Sequence, residues 1–124
     1  MDLMLQNRTA AVAAASKGLG KAAALELAKE GARVAICSRN RENLEAAAAE
    51  IKAETGRADC VLPVVADVTT LAGCQDFIDA AVQHFGGLDI LVTNAGGPPA
   101  GPAESFDDEQ WRRAIDLNLL STIR

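Results

Sequence analysis

The chain has 124 residues, 49% hydrophobic and 23% charged, a composition that fits one globular domain with a single modest core. Its 17 acidic and 12 basic residues leave a net charge of −5, which excludes the broad basic surface needed for nonspecific nucleic-acid or anionic-membrane binding but not one local basic pocket. No apolar run approaches the ~20 residues that span a bilayer, and MDLMLQNRTA is too short and polar for a secretory signal, so the expected location is the cytoplasm.

Short apolar runs alternate with helical patterns. TAAVAA (9–14), RVAICS (33–38), CVLPVV (60–65) and DILVT (89–93) read as buried strands, because parallel strands covered on both faces are continuously apolar. The intervening segments carry the helical period. Leu44, Ala48 and Ile51 fall at i, i+4, i+7, and Phe77, Ile78, Ala81, Val82 and Phe85 form a full stripe. In the last segment Trp111, Ile115 and Asn118 repeat that spacing, which predicts Asn118 on a face shared with core residues.

Thr69 or Thr70 is placed to cap the third helix, and Ser105 with Asp108 to cap the fourth. Gly31 and Gly56 stand where helices stop. Cys37, Cys60 and Cys74 are odd in number and form no CxxC pair, so they read as buried free thiols. His84 has no partner at metal-ligand spacing and reads as a helix C-terminal residue.

The resulting βαβαβαβα order implies a parallel sheet with crossover helices. The irregular stretch GGPPAGPAE (96–104) follows the fourth strand, and its prolines make it a stiff loop. In an open α/β sheet ligands bind beyond the carboxyl ends of the strands, so this loop is well placed to touch one.

Gly18, Leu19, Gly20, Lys21, Ala22 and Ala23 satisfy G-x-G-x-x-A between the first strand and the first helix. There the unpartnered N–H groups and the positive end of the helix dipole attract a pyrophosphate. A tight strand–helix turn without a ligand is the alternative. At the end of the second strand, an acidic residue would accept hydrogen bonds from both ribose hydroxyls of NAD. This chain has Ser38, Arg39 and Asn40 instead, and Lys17 precedes Gly18. A guanidinium pairs with phosphate through charge-assisted hydrogen bonds, which points to NADP(H), unless Arg39 is only a solvated helix-start arginine.

With these residues in order, the chain resembles the N-terminal part of the classical short-chain dehydrogenases/reductases. Ala13 to Gly20 (Ala14, Ser16, Lys17, Gly18, Leu19 and Gly20 among them) align with the family's TGxxxGxG loop, with Ala13 and Ala14 departing from it. A methyl at position 14 fits only where φ stays negative. Asp67 and Val68 match the pair that contacts the adenine ring, and Thr93, Asn94, Ala95 and Gly96 match NNAG. Asn118 in DLNLLS matches the helix asparagine of the family's proton relay.

The resemblance implies a three-layer Rossmann fold, a doubly wound parallel sheet, with residues 1–124 as its NADP(H)-binding portion. It further implies hydride transfer to a carbonyl, with catalytic Ser, Tyr and Lys. This chain has no tyrosine and stops at Arg124, shortly after Asn118, as if truncated before the Tyr-x-x-x-Lys segment. The stretch from Asn94 to Ser121 looks most like 3-oxoacyl-[acyl-carrier-protein] reductase relatives. That likeness implies a carbonyl or acyl thioester substrate and a homo-oligomer, commonly a tetramer. A noncatalytic nucleotide-binding module and a truncated remnant are the alternatives.

Overall fold

Strand and helix alternate as the periodicity predicts, and the computed structural model describes all residues 1–124. In chain order they are β1 (Thr9–Val12), α1 (Gly18–Lys29), β2 (Arg33–Ser38), α2 (Arg41–Thr55), β3 (Val61–Val65), α3 (Leu71–Phe85), β4 (Ile90–Val92) and α4 (Asp108–Ile115). α4 runs on through a π-helical segment, Asp116–Leu120, into a last turn, Ser121–Ile123.

The four strands are parallel in the order β3-β2-β1-β4, with Ala10 level with both Val34 and Ile90. The chain builds outward from β1 through β2 to β3, then returns to place β4 on the other side of β1. The order therefore reverses between β1 and β4, and a crevice opens above their carboxyl ends. Pro63 is accommodated because β3 is an edge strand, where a missing N–H leaves no ladder bond unmade.

Strand alternation sorts the core into two layers. Val12, Val34 and Ile36 face Ala24, Leu44 and Ile51 of α1 and α2. Ala11, Ala35 and Cys37 face Phe77, Ala81 and Phe85 of α3 on the opposite side. With helices on both faces, this is a Rossmann-like three-layer α/β fold.

Polar links fix the elements that carry the site. Asp89 accepts from the Thr9 backbone N–H at 2.9 Å and from its hydroxyl at 3.2 Å, joining the start of β1 to the approach to β4. Arg57 donates to the carbonyls of Ala28 (2.5 Å) and Ala32 (3.1 Å), closing the C-terminus of α1. Lys21 and Glu50 pair at 2.7 Å between α1 and α2. Gly56 ends α2 in a left-handed conformation, and Gly31 follows the cap residue of α1.

Thr70, rather than Thr69, caps α3 through the Gly73 N–H. Two expectations require correction. Ser105 does not cap α4, because its hydroxyl is turned back onto the Pro102 carbonyl in a short 3₁₀ turn. Asp107 caps instead, in a reciprocal capping box with Gln110, and its carboxylate is the stronger acceptor. The face built by Trp111, Ile115 and Asn118 is not core, since Trp111 and Ile115 are each about half exposed and Asn118 is exposed. No strand beyond β4 covers it, and Leu91 on that edge is 52% exposed.

Candidate functional site

A cleft of about 790 Å³ lies over the carboxyl ends of the strands, in the size range of roughly 300–1,000 Å³ usual for small-molecule sites. Its floor is the turn from β1 into α1. Lys17 is the N-cap of α1 and makes no side-chain capping bond, so the first-turn N–H groups remain open toward the cleft. Ser16, Lys17, Gly18 and Leu19 line this wall.

Gly18 and Gly20 are glycines for different reasons. Gly18 has φ +56°, a conformation that disfavours side chains, although an added Cβ would meet nothing within 4 Å. Gly20 lies behind the cleft wall, where a Cβ would press on the Ala14 carbonyl and lie 2.7 Å from Asn94 Nδ2. It therefore sets how closely the helix start approaches the strands and does not itself face the cleft.

Ala14 lines the cleft with φ +50°. This corrects the expectation that the methyl requires negative φ. The neighbouring residues are pinned to different strands, since Ala13 donates to Val92 (3.1 Å) and Ala15 to Cys37 (3.0 Å). The chain must therefore turn sharply at Ala14, at a cost of about 1–2 kcal/mol for an L-residue. Asn94, at the exit of β4, donates to the carbonyls of Ala14 (3.1 Å) and Ala13 (3.3 Å) across the same turn.

The second wall is the β2–α2 junction, with Ser38, Arg39, Asn40 and Asn43. Asn40 caps α2 by accepting the Asn43 N–H at 2.9 Å, and the Ser38 hydroxyl accepts the Asn40 N–H at 3.3 Å. Lys17 and Arg39 are both exposed, and neither belongs to any of the ion pairs of the chain. The cleft thus presents two cations that form no close ion pair, with the Asp67 carboxylate on the facing wall.

The third wall is Asp67, Val68 and Thr69 after β3. The Thr69 hydroxyl and then its backbone N–H hold the Asp67 carboxyl below the ordinary carboxylate range, and the Arg39 guanidinium acts in the same direction. Cys37 lies beneath, and burial pushes its thiol up to about 11, so it stays neutral and unreactive.

Asn94, Ala95 and Gly96 complete the rim after β4. The structure therefore brings together around one cleft every residue singled out for cofactor contact except Gly20. Asn118 is not among the lining residues. It lies in the π-helical segment, its amide donates to the Ala114 carbonyl at 3.0 Å, and the adjacent Leu117 reaches the cleft instead.

Sequence reasoning missed Cys37, Asn43, Ala66, Thr69, Gly97 and Leu117 as lining residues. Asn43 and Thr69 carried a usable signal. Each lies two or three residues after a predicted contact, at a helix start or turn that returns its side chain to the same opening.

Fold and cleft together define an open α/β protein of the Rossmann type. Residues 8–124 match the family model described as short chain dehydrogenase, and the chain belongs to that family. Over 127 aligned residues it is 39% identical to the uncharacterized oxidoreductase YvaG of Bacillus subtilis (strain 168), covering 100% of this chain and 45% of that protein.

The L-sorbose reductase from Gluconobacter frateurii, solved with NADPH and L-sorbose, superposes with a TM-score of 0.92 at 32% identity, covering 99% of this chain and 46% of the reductase. An NADH-dependent reductase of alginate metabolism, A1-R', superposes with a TM-score of 0.85 at 30% identity, covering 97% of this chain and 48% of that one. The chain spans about half the length of the curated relatives it matches.

Proposed function

We propose that this chain forms the NADP(H)-binding half of a carbonyl reductase. The observation that carries the reading is the pair of cations Lys17 and Arg39, on two walls of one cleft and in none of the chain's ion pairs, with no carboxylate at the end of β2. A 2′-phosphate supplies an anionic partner for this pair, whereas an NAD ribose offers neutral hydroxyl acceptors in its place. The cradle fits a dinucleotide in other respects. Open N–H groups at Gly18 and Leu19 suit a pyrophosphate, and Asp67 and Val68 flank a slot for adenine.

When bound, the nicotinamide supplies the hydride for a carbonyl carbon. This chain's residues bind and orient that group. Gly96 and Gly97 leave the rim after β4 free of bulk, and Asn118 stands one residue beyond the cleft wall, on the helix that approaches it. Proton transfer by a tyrosine–lysine pair, a 3-oxoacyl or related carbonyl substrate, and assembly as a homo-oligomer in the cytoplasm complete the reading for a whole enzyme. The half-exposed Trp111 and Ile115 on α4 support the assembly.

The test is Arg39→Asp. It removes one charge-assisted pair and adds repulsion, so NADPH binding should weaken by at least 1.5–3 kcal/mol, roughly 10- to 150-fold, with a much smaller change for NADH. Equal losses for both nucleotides would overturn the role given to Arg39.

A further inference from the structure

Position 14 is where the chain passes from β1 to the phosphate-facing turn, and three observations meet there. Ala14 is held at φ +50° although it carries a Cβ. Its neighbours are tied to opposite strands, Ala13 to β4 and Ala15 to β2, each through one backbone hydrogen bond, so the two tethers pull the turn in different directions. Both amide-donated bonds of Asn94 end on this turn, at the carbonyls of Ala13 and Ala14. Those carbonyls point the way they do only while Ala14 stays left-handed. Gly20 packs against both the Ala14 carbonyl and the Asn94 amide, so the start of α1 rests on the same pair.

We propose that the Asn94 side-chain amide is a positioning group that locks Ala14 in its left-handed conformation and so keeps the Ser16–Gly18 turn open to the cleft. In this role Asn94, itself on the cleft rim, acts on the ligand through Ala14. An L-residue at this φ is disfavoured by a factor of roughly 5 to 30, a bias that the backbone tethers of Ala13 and Ala15 and the Asn94 amide oppose together, so loss of the amide raises the share of other conformations. Glycine at position 14 removes that bias and with it most of the need for the lock. The consequence for nucleotide affinity rests on the proposed cofactor reading, whereas the conformational coupling does not.

A double-mutant cycle tests this on the full 124-residue chain, with Asn94→Ser, Ala14→Gly and the double variant. NADPH affinity is measured by titration and folding equilibrium by urea unfolding. In the parent background Asn94→Ser should weaken NADPH binding about tenfold. In the Ala14→Gly background the same substitution should cost no more than about threefold, and the unfolding constants should show the same rescue. Asn94→Ala, a larger deletion, should follow the same pattern.

Equal losses in both backgrounds would overturn the proposal, because a purely packing or sheet-stabilising role of Asn94 is indifferent to glycine at 14. Failure of Asn94→Ser to fold in both backgrounds would overturn it too, since relief of strain at 14 would then rescue nothing. If the parent chain binds no NADPH, the cofactor reading fails by itself. The unfolding cycle then still decides the coupling, with rescue supporting the lock and additivity refuting it.

Discussion

The Thr69 hydroxyl donates to Asp67 Oδ1 over 2.7 Å, and the Thr69 backbone N–H donates to the same oxygen over 3.0 Å. One carboxylate oxygen thus organises the turn between β3 and α3 on the third wall of the cleft. Thr70 then begins α3 by accepting the Gly73 N–H.

The Asp67–Thr69 contact gives a pH dependence with a fixed sign. Asp67 has a depressed folded-state pKa relative to the unfolded chain, so its contribution is full above the unfolded value near ~3.9 and is lost as pH falls through the lower folded value. The parent should therefore exceed Asp67→Asn in stability at neutral pH by less than about 1 kcal/mol, because the group is partly exposed. That difference should close as pH falls below the unfolded value near ~3.9 and through the lower folded value. Urea titrations at several pH values check it, and a gap that widens on acidification would refute the assignment.

Arg57 should be a stability residue remote from the cleft. Its guanidinium satisfies carbonyls at the C-terminus of α1, and Arg57→Ala leaves them without that fork. The expected cost is about 2 kcal/mol, with Arg57→Lys intermediate and nucleotide affinity unchanged. Denaturation of the three proteins side by side would show it.

The two loop glycines should separate steric from conformational cost. Gly20→Ala drives a methyl into the Ala14 carbonyl and the Asn94 amide and should lose about 2–3 kcal/mol, together with nucleotide binding. Gly18→Ala meets open space and should lose only the left-handed strain, about 1 kcal/mol. A larger loss for Gly18→Ala would mean that the turn is not arranged as described.

Much of this was legible in the chain. The four apolar runs fell within a few residues of the observed strands, but only β1 and β2 are buried on both faces as expected, whereas the edge strands β3 and β4 are only partly buried. The cleft was legible because glycines, the missing acid after β2 and the Asp67–Val68 pair are local features at fixed places in the alternation.

What stayed hidden depends on neighbours distant in sequence. The positive φ of Ala14 goes with backbone tethers to both β2 and β4 and with the Asn94 amide across the turn, which no spacing rule contains. The solvent-facing side of Trp111 and Ile115 carries the same helical period as a buried face, and periodicity alone does not say what covers it. The capping of α4 was misplaced by two residues because serine and aspartate are both good caps, and the choice was made by the Pro102 carbonyl capturing Ser105.

The proposed role of Lys17 and Arg39, holding the 2′-phosphate of a dinucleotide in this cleft, is tested most directly by a parallel calorimetric titration of the unmodified chain with NADPH and with NADH at physiological ionic strength. Saturable NADPH binding should be at least tenfold tighter than NADH binding. Equal affinities, or tighter binding of NADH, would contradict it.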